Sequence, residues 1–413
     1  MESWYRSMSS PQRKTFWACL AGWALDAMDV QLFAFVIPTL LGAWHMSKSQ
    51  AGLIGTAALV TSAIGGVIAG VLADRIGRVK VLQITIIWFA VFTGLSALTN
   101  SFGQLLVTRS LQGLGFGGEW AAGAVLIGEV VDSRIRGRAV GTVQAGWPIG
   151  YGMAALAYFV TFSLVPGEFA WRVLFLVGLL PALAVIWLRR HVGESEAFNA
   201  MAETREKTSI GDTFRLVFSA GMIKRTLTAS LLAGGALGGN YTILTWLVTY
   251  LRQSHGMSVS VTSWYLAINI LGSFCGYVGA AYLSDLLGRR NTFVLSALAA
   301  TITVLVYAFG SVHGTPMLLL GFLVGMFQSG IVSGMGACFT ELFPAQIRGS
   351  AGGFSYNFGR GFGALVPAAV GVTSAWYGLG SSIGAFAAAS YGLVFIAALA
   401  MPETRNKELE LHV

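Results

Sequence analysis

Two carboxylates, Asp26 and Asp29, stand three residues apart in an otherwise apolar run, and Arg109 lies near the start of a second such run. Glu119 follows ten residues after Arg109, and Arg360 sits inside a third run. An ionisable group at bilayer depth costs about 2.5 kcal/mol or more, so each needs a partner or a wet cavity. The i, i+3 spacing puts Asp26 and Asp29 on one helix face. Burial and a neighbouring arginine act in opposite senses on a carboxylate's hold on its proton, so a buried acid beside a displaceable arginine can load and release one. Asp29 with Arg109 is the first candidate for that chemistry, with Asp26 and Glu119 as further proton sites. The structural reading of the same residues is a permanent ion pair or packing contact that locks helices together.

Arg360 has no acid in its own apolar run and is flanked by small residues in SYNFGRGFG. A guanidinium presents a planar fork that fits a carboxylate, so Arg360 is the expected anchor for an anionic substrate. A salt bridge to Asp26 or Glu119 is its structural counterpart. Other polar and aromatic residues at membrane depth could line the same cavity. Gln144, Trp147 and Tyr151 recur at i, i+3, i+7 and so share a helix face. Asn240, Tyr241, Trp246, Asn269, Gln328 and Asn357 come from other runs, and each could equally serve as helix-packing glue.

The elements that must hold these residues follow from composition. Of 413 residues, 55% are hydrophobic and only 11% charged, against about 25% charged in soluble domains. Such a chain is an integral membrane protein. Twelve stretches reach the length of about 20 residues that spans the hydrocarbon core. They run over 17–41, 51–73, 82–99, 104–129, 138–162, 171–189, 225–251, 260–283, 292–310, 315–341, 350–372 and 382–401. Continuous apolarity without strict alternation makes them helices and not barrel strands. Cys19, Cys275 and Cys338 all fall in apolar runs and read as small core residues, without disulfides. His45, His191, His255, His313 and His412 fall in loops or the tail, which leaves neither a histidine relay nor a metal cluster. Trp4, Trp44 and Trp171 fall near expected interfaces as belt anchors.

The chain also repeats. GVLADRIGRVK at Gly70 to Lys80 is echoed by AYLSDLLGRRN at Ala281 to Asn291, and EVVDSRIRGRAVG from Glu129 by ELFPAQIRGSAGG from Glu341, at nearly one interval. The organisation is an N-terminal six-helix lobe over 1–189, a solvated connector over 190–224 and a C-terminal lobe with a short tail over 225–413. Almost all arginines and lysines fall on the side that holds both termini and the connector; only Lys48, Arg172 and Arg252 fall on the other. By the positive-inside rule that side is cytoplasmic. This distribution accounts for the formal charge of +8 without nucleic acid.

The G-x-L-x-D-R-x-G-R pattern at Gly70 to Arg78, its echo at Asp285, RSLQGLGFGGEW at Arg109 to Trp120 and PETRNKEL at Pro402 to Leu409 resemble the major facilitator superfamily of transporters. Within it, DAMDV at Asp26 to Val30, GGEW at Gly117 to Trp120 and Arg360 are similar to the proton-coupled symporters of organic acids, including aromatic-acid, muconate and sialate carriers. The resemblance implies that Asp29 and Arg109 are partners in proton coupling. It implies gating roles for Asp74, Arg75, Gly77, Arg78, Glu129 and Arg136 and for Asp285, Arg289, Glu341 and Arg348, with Asp74 pairing with arginines such as Arg136. Ala281 and Leu286 depart from the loop pattern, which implies a weaker latch in the second half.

These readings converge on an all-α membrane protein of twelve transmembrane helices in two pseudo-repeated lobes, a secondary active transporter and not an enzyme. The expected cargo is a small organic carboxylate, an aromatic acid or a monocarboxylate, moved with protons by alternating access at a site between the lobes. No cofactor beyond the proton and no metal is expected. The expected setting is a bacterial inner membrane, with the chain working as a monomer. A neutral- or sugar-solute symporter or facilitator and a proton-antiport exporter are the rival transport readings. A membrane enzyme or sensor lacks a paired catalytic constellation, phosphate loop or soluble domain.

Overall fold

The computed structural model describes residues 4–46, 48–132, 134–183, 210–257, 259–310, 314–344 and 346–405; within them the fold is helical throughout, with no strand. The helices are α1 (Ser10–Ala43), α2 (Lys48–Ile76), α3 (Arg78–Ser96), α4 (Phe102–Val130), α5 (Arg136–Gln144), α6 (Gly146–Leu164) and α7 (Gly167–Val177). They continue with α8 (Ile210–Val217), α9 (Ile223–Thr249), a π-turn over Tyr250–Ser254, α10 (Val259–Leu287), α11 (Arg289–Phe309), α12 (Thr315–Leu342), α13 (Arg348–Gly363), α14 (Leu365–Tyr377) and α15 (Leu379–Ala400). Among the described residues nine helical stretches are long and apolar enough to cross a bilayer. With α4, α7 and the α13–α14 pair they fall on the twelve stretches read from the sequence. Of the connector, residues 190–209 lie outside the described residues.

Two expected single helices are each two. Between α5 and α6 the break falls at Ala145, and between α13 and α14 at Ala364. Each break lies three residues before a proline, Pro148 and Pro367, which has no N–H to bond the carbonyl four residues back. The first helix starts earlier than expected because Ser9 caps it. Its hydroxyl accepts from the Gln12 amide at 3.4 Å and its own amide donates to the Gln12 side chain at 2.8 Å, a capping box.

Glycines set how closely helices approach. In α2 and α4, Gly65 faces the Leu114 carbonyl and Gly117 the Ser62 carbonyl with no room for a Cβ. The repeat does the same in α10 and α12, where Gly272 faces Phe322 and Gly276 faces Met326. Two compact units result: Met1–Val131 with Gly146–Val217 and Ile347–Asn357, and Asp132–Ala145 with Phe218–Gln346 and Phe358–Val413. They depart from a plain division into sequence halves, since 132–145 groups with the second half and 347–357 with the first. Trp171 is no interface anchor: it is buried in the first unit's core, edge-on to Trp44 at 5.4 Å. Cys275 is exposed, whereas Cys19 and Cys338 are core residues as expected.

Candidate functional site

In the first unit, Asp29 is fully buried on α1. Its Oδ2 accepts a 2.5 Å hydrogen bond from the Gln112 side chain of α4, and its Oδ1 accepts none among the described residues. Arg109, one turn before Gln112, is equally enclosed, with its guanidinium 5.4 Å from the Phe33 ring centroid and 5.8 Å from that of Phe175. It makes no direct ion pair with Asp29. Its Nη1 instead donates to the Thr93 hydroxyl at 3.4 Å, and Thr93 in turn approaches Asp29. The charge pair is therefore within electrostatic reach but separated by a hydroxyl. Gly178 completes the enclosure: a Cβ there would strike the Thr93 methyl and come within 3.2 Å of Asp29 Oδ1. Asp26 is also fully buried, one turn earlier on α1. The Glu119 side chain lies outside the described side chains.

Gln112, Thr93 and Gly178 escaped sequence reasoning. Gln112 had a signal, since it lies three residues after Arg109 and so on the same helix face. Thr93 and Gly178 had none short of the fold itself. Of the expected cavity residues in this unit, Trp147 packs 5.2 Å from Trp23, and Tyr151 lies 6.1 Å from Phe35. Asn357 donates back to the Gly353 carbonyl at 2.9 Å, and its amide occupies the place a Cβ on Gly66 would need.

The second unit holds Arg360, Asn240, Tyr241, Gln328 and Gln144, all buried. Arg360, 1% exposed, sits on α13 where that helix meets α9 backbone to backbone: a Cβ on Gly359 would lie 2.6 Å from the Gly234 nitrogen, and one on Gly363 2.7 Å from that of Gly238. Gln328 accepts from the Tyr391 hydroxyl at 3.3 Å, so Tyr391 joins this group unforeseen. Trp246 and Asn269 are tied to backbone, donating at 2.9 Å to the Pro367 and Gly321 carbonyls respectively. Gln144 closes α5, whereas Trp147 and Tyr151 lie on α6, beyond the turn at Ala145.

The repeated loops build two ionic clusters. Gly77 and Gly288 take φ of 110° and 94°, the left-handed region glycine tolerates, at the turn into the helix that each precedes. Arg78 then reaches Glu129 at 3.4 Å, with Arg348 4.0 Å from the same carboxylate oxygen. Its counterpart Arg289 grips Glu341 at 2.8 and 3.0 Å, with Arg136 at 3.8 Å and the Thr404 hydroxyl donating at 2.8 Å. The arginines are exchanged: Arg136 serves Glu341 and Arg348 serves Glu129. Arg136 thus has Glu341 as an ion-pair partner; the Asp74 side chain, expected to pair with arginines such as Arg136, lies outside the described side chains. Asp285 caps the start of α5, accepting from the Arg138 amide at 3.1 Å, and pairs with Arg289 at 2.6 Å and Arg138 at 3.3 Å. The second loop copy is thus fully engaged despite Ala281 and Leu286. Glu403, from the PETRNKEL segment, accepts from the Arg289 amide at 2.8 Å. Arg75 is exposed.

The sequence model of the Major Facilitator Superfamily matches this chain over residues 19–279 and again over 230–411. The chain belongs to that superfamily. It is 42% identical to a probable 4-methylmuconolactone transporter of Cupriavidus pinatubonensis, covering 99% of this chain and 95% of that one. It is 32% identical to the cis,cis-muconate transport protein of Acinetobacter baylyi, covering 87% and 86%. Among solved structures it resembles the proton:xylose symporter XylE bound to 6-bromo-6-deoxy-D-glucose, with a TM-score of 0.82 over 97% of this chain and 98% of that one. At 18% identity that likeness concerns the fold alone. The chain is a multi-pass membrane transporter of the major facilitator fold and not an enzyme.

Proposed function

We propose that this transporter is a proton-coupled symporter of a small organic carboxylate, operating by alternating access in a bacterial inner membrane with both termini cytoplasmic. The observation that carries the reading is the enclosure of Asp29. A carboxylate locked to an arginine would stay charged; this one faces its arginine across Thr93, takes one hydrogen bond from Gln112 and has an oxygen to spare. Such an acid can accept a proton when the guanidinium withdraws and lose it when the guanidinium returns. Relatives named for 4-methylmuconolactone and cis,cis-muconate support a carboxylate cargo, and Arg360 is the buried fork suited to receive it. The clusters around Glu129 and Glu341 are the gating contacts of the cycle.

The test is uptake of cis,cis-muconate and of benzoate into proteoliposomes carrying Asp29→Asn. Asparagine keeps the shape and the Gln112 contact but cannot titrate. The variant is expected to exchange labelled for unlabelled substrate yet fail to concentrate it under an inward proton gradient. Concentration at the wild-type level would move the proton site away from Asp29.

A further inference from the structure

Trp23 on α1 and Trp147 on α6 bring their indoles to 5.2 Å between centroids, and Phe116 of α4 lies 6.4 Å from Trp147. The platform beneath them is rigid. A Cβ on Gly146 would lie 2.6 Å from the Leu20 carbonyl, and one on Gly150 would run into that of Ala24, so α6 is pressed onto α1 along this stretch. Trp23 is 3% exposed and Trp147 8%, yet among the described residues neither ring N–H finds an acceptor. An indole N–H only donates, and a buried donor without an acceptor lowers stability. Leucine or phenylalanine would pack such a site without that cost. Asp26 follows Trp23 by one turn of the same helix, so the pair also borders a buried acid.

We propose that Trp23 and Trp147 form a subsite for a planar, conjugated acid. The ring faces receive the flat unsaturated body of the substrate, and the two N–H groups donate to a second oxygen function upon it, whether carboxylate, hydroxyl or carbonyl. The proposal rests on the reading of this chain as a carboxylate transporter and deepens it by naming the shape of the cargo. Aromatic contacts favour a flat partner over a puckered one, and an indole donor adds a preference for acids carrying oxygen at both ends.

Calorimetric titration of the purified full chain with two matched pairs tests it: benzoate against cyclohexanecarboxylate, and cis,cis-muconate against adipate. Each pair has equal carboxylates and differs in conjugation. Wild type is expected to favour the flat member by about tenfold, the value of one good aromatic contact. Trp147→Leu and Trp23→Leu bring that ratio close to one. Trp147→Phe and Trp23→Phe, which keep a ring and guard against misfolding, preserve the flat preference but weaken muconate by about fivefold relative to benzoate, through loss of the donor. Equal binding of flat and puckered acids by wild type, or an undiminished preference in the leucine variants, overturns the subsite while leaving the carboxylate reading intact. Binding of none of the four acids by wild type overturns both.

Discussion

Arg136 stands 3.8 Å from Glu341, a residue of the opposite sequence half, while its repeat counterpart Arg348 stands 4.0 Å from Glu129. The exchange agrees with the division in which 132–145 belongs to the second compact unit and 347–357 to the first. Glu341 holds two short bonds to Arg289 and one from the Thr404 hydroxyl, and Glu129 meets Arg78 at 3.4 Å beside Arg348.

The cluster around Glu341 can be tested by removing its charge. Removing one partner of a buried ion pair costs about 3–5 kcal/mol when the other charge is left behind. Glu341→Gln should incur a loss toward the lower end of that range, since Arg289 keeps Asp285 at 2.6 Å while Arg136 loses its contact with the Glu341 carboxylate. Thermal unfolding in detergent checks this, and an unchanged midpoint would show that the Glu341 charge adds nothing to stability.

Gly288 offers a second test, of backbone and crowding together. Its φ of 94° strains any residue with a Cβ, and a Cβ there would strike the Glu403 carboxylate that accepts from the Arg289 amide. Gly288→Ala should cost about 1–3 kcal/mol from the backbone alone, and more as Glu403 is displaced. Adding Glu403→Ala to it should recover the crowding part only. Full recovery in the double variant would mean that the backbone conformation carries no strain.

Much of this was legible in the sequence because its physics is local. Apolar length gave twelve spans, and the repeated loops gave Gly77 with Gly288 and Arg78 with Arg289 as equivalent pairs. The helix breaks at Ala145 and Ala364 were equally local, since Pro148 and Pro367 announce them, but a hydropathy ruler counts proline as one more residue in the run. The Arg136–Glu341 exchange could not be read, because each arginine has an acid seven residues earlier in its own half, and only packing selects the other half's. The Asp29 site was half legible. The acid and Arg109 stand out as charges in apolar runs, whereas Thr93 and Gly178 are unremarkable residues made important by what they face.

Gly178 gives the prediction that follows from that enclosure. A methyl group there would meet the Thr93 methyl and crowd Asp29 Oδ1 at 3.2 Å. Gly178→Ala should push Thr93 from its place between acid and arginine, at an overpacking cost of about 1–3 kcal/mol. Coupling should suffer more than substrate exchange does. Gly178→Ala with Thr93→Ser removes the struck methyl, keeps the hydroxyl and should restore accumulation in proteoliposomes. A double variant as impaired as the single one would show that the lesion lies elsewhere than at Thr93.

Arg360 decides whether the cargo is an anion. It is 1% exposed, on a helix pinned to α9 by the close approaches at Gly359 and Gly363, contacts that its truncation leaves in place. The scaffold should therefore survive truncation. If the guanidinium holds the substrate carboxylate, Arg360→Ala loses about 2–5 kcal/mol of binding, the range for removing one partner of a desolvated charge pair. Arg360→Lys recovers only part of this, because a compact ammonium cannot reproduce a two-pronged contact. A purely structural arginine gives the opposite pattern, with thermal stability lowered and affinity unchanged in the protein that folds. Titration of folded Arg360→Ala with cis,cis-muconate and benzoate separates the two outcomes, and wild-type affinity for both acids there would remove Arg360 from the site.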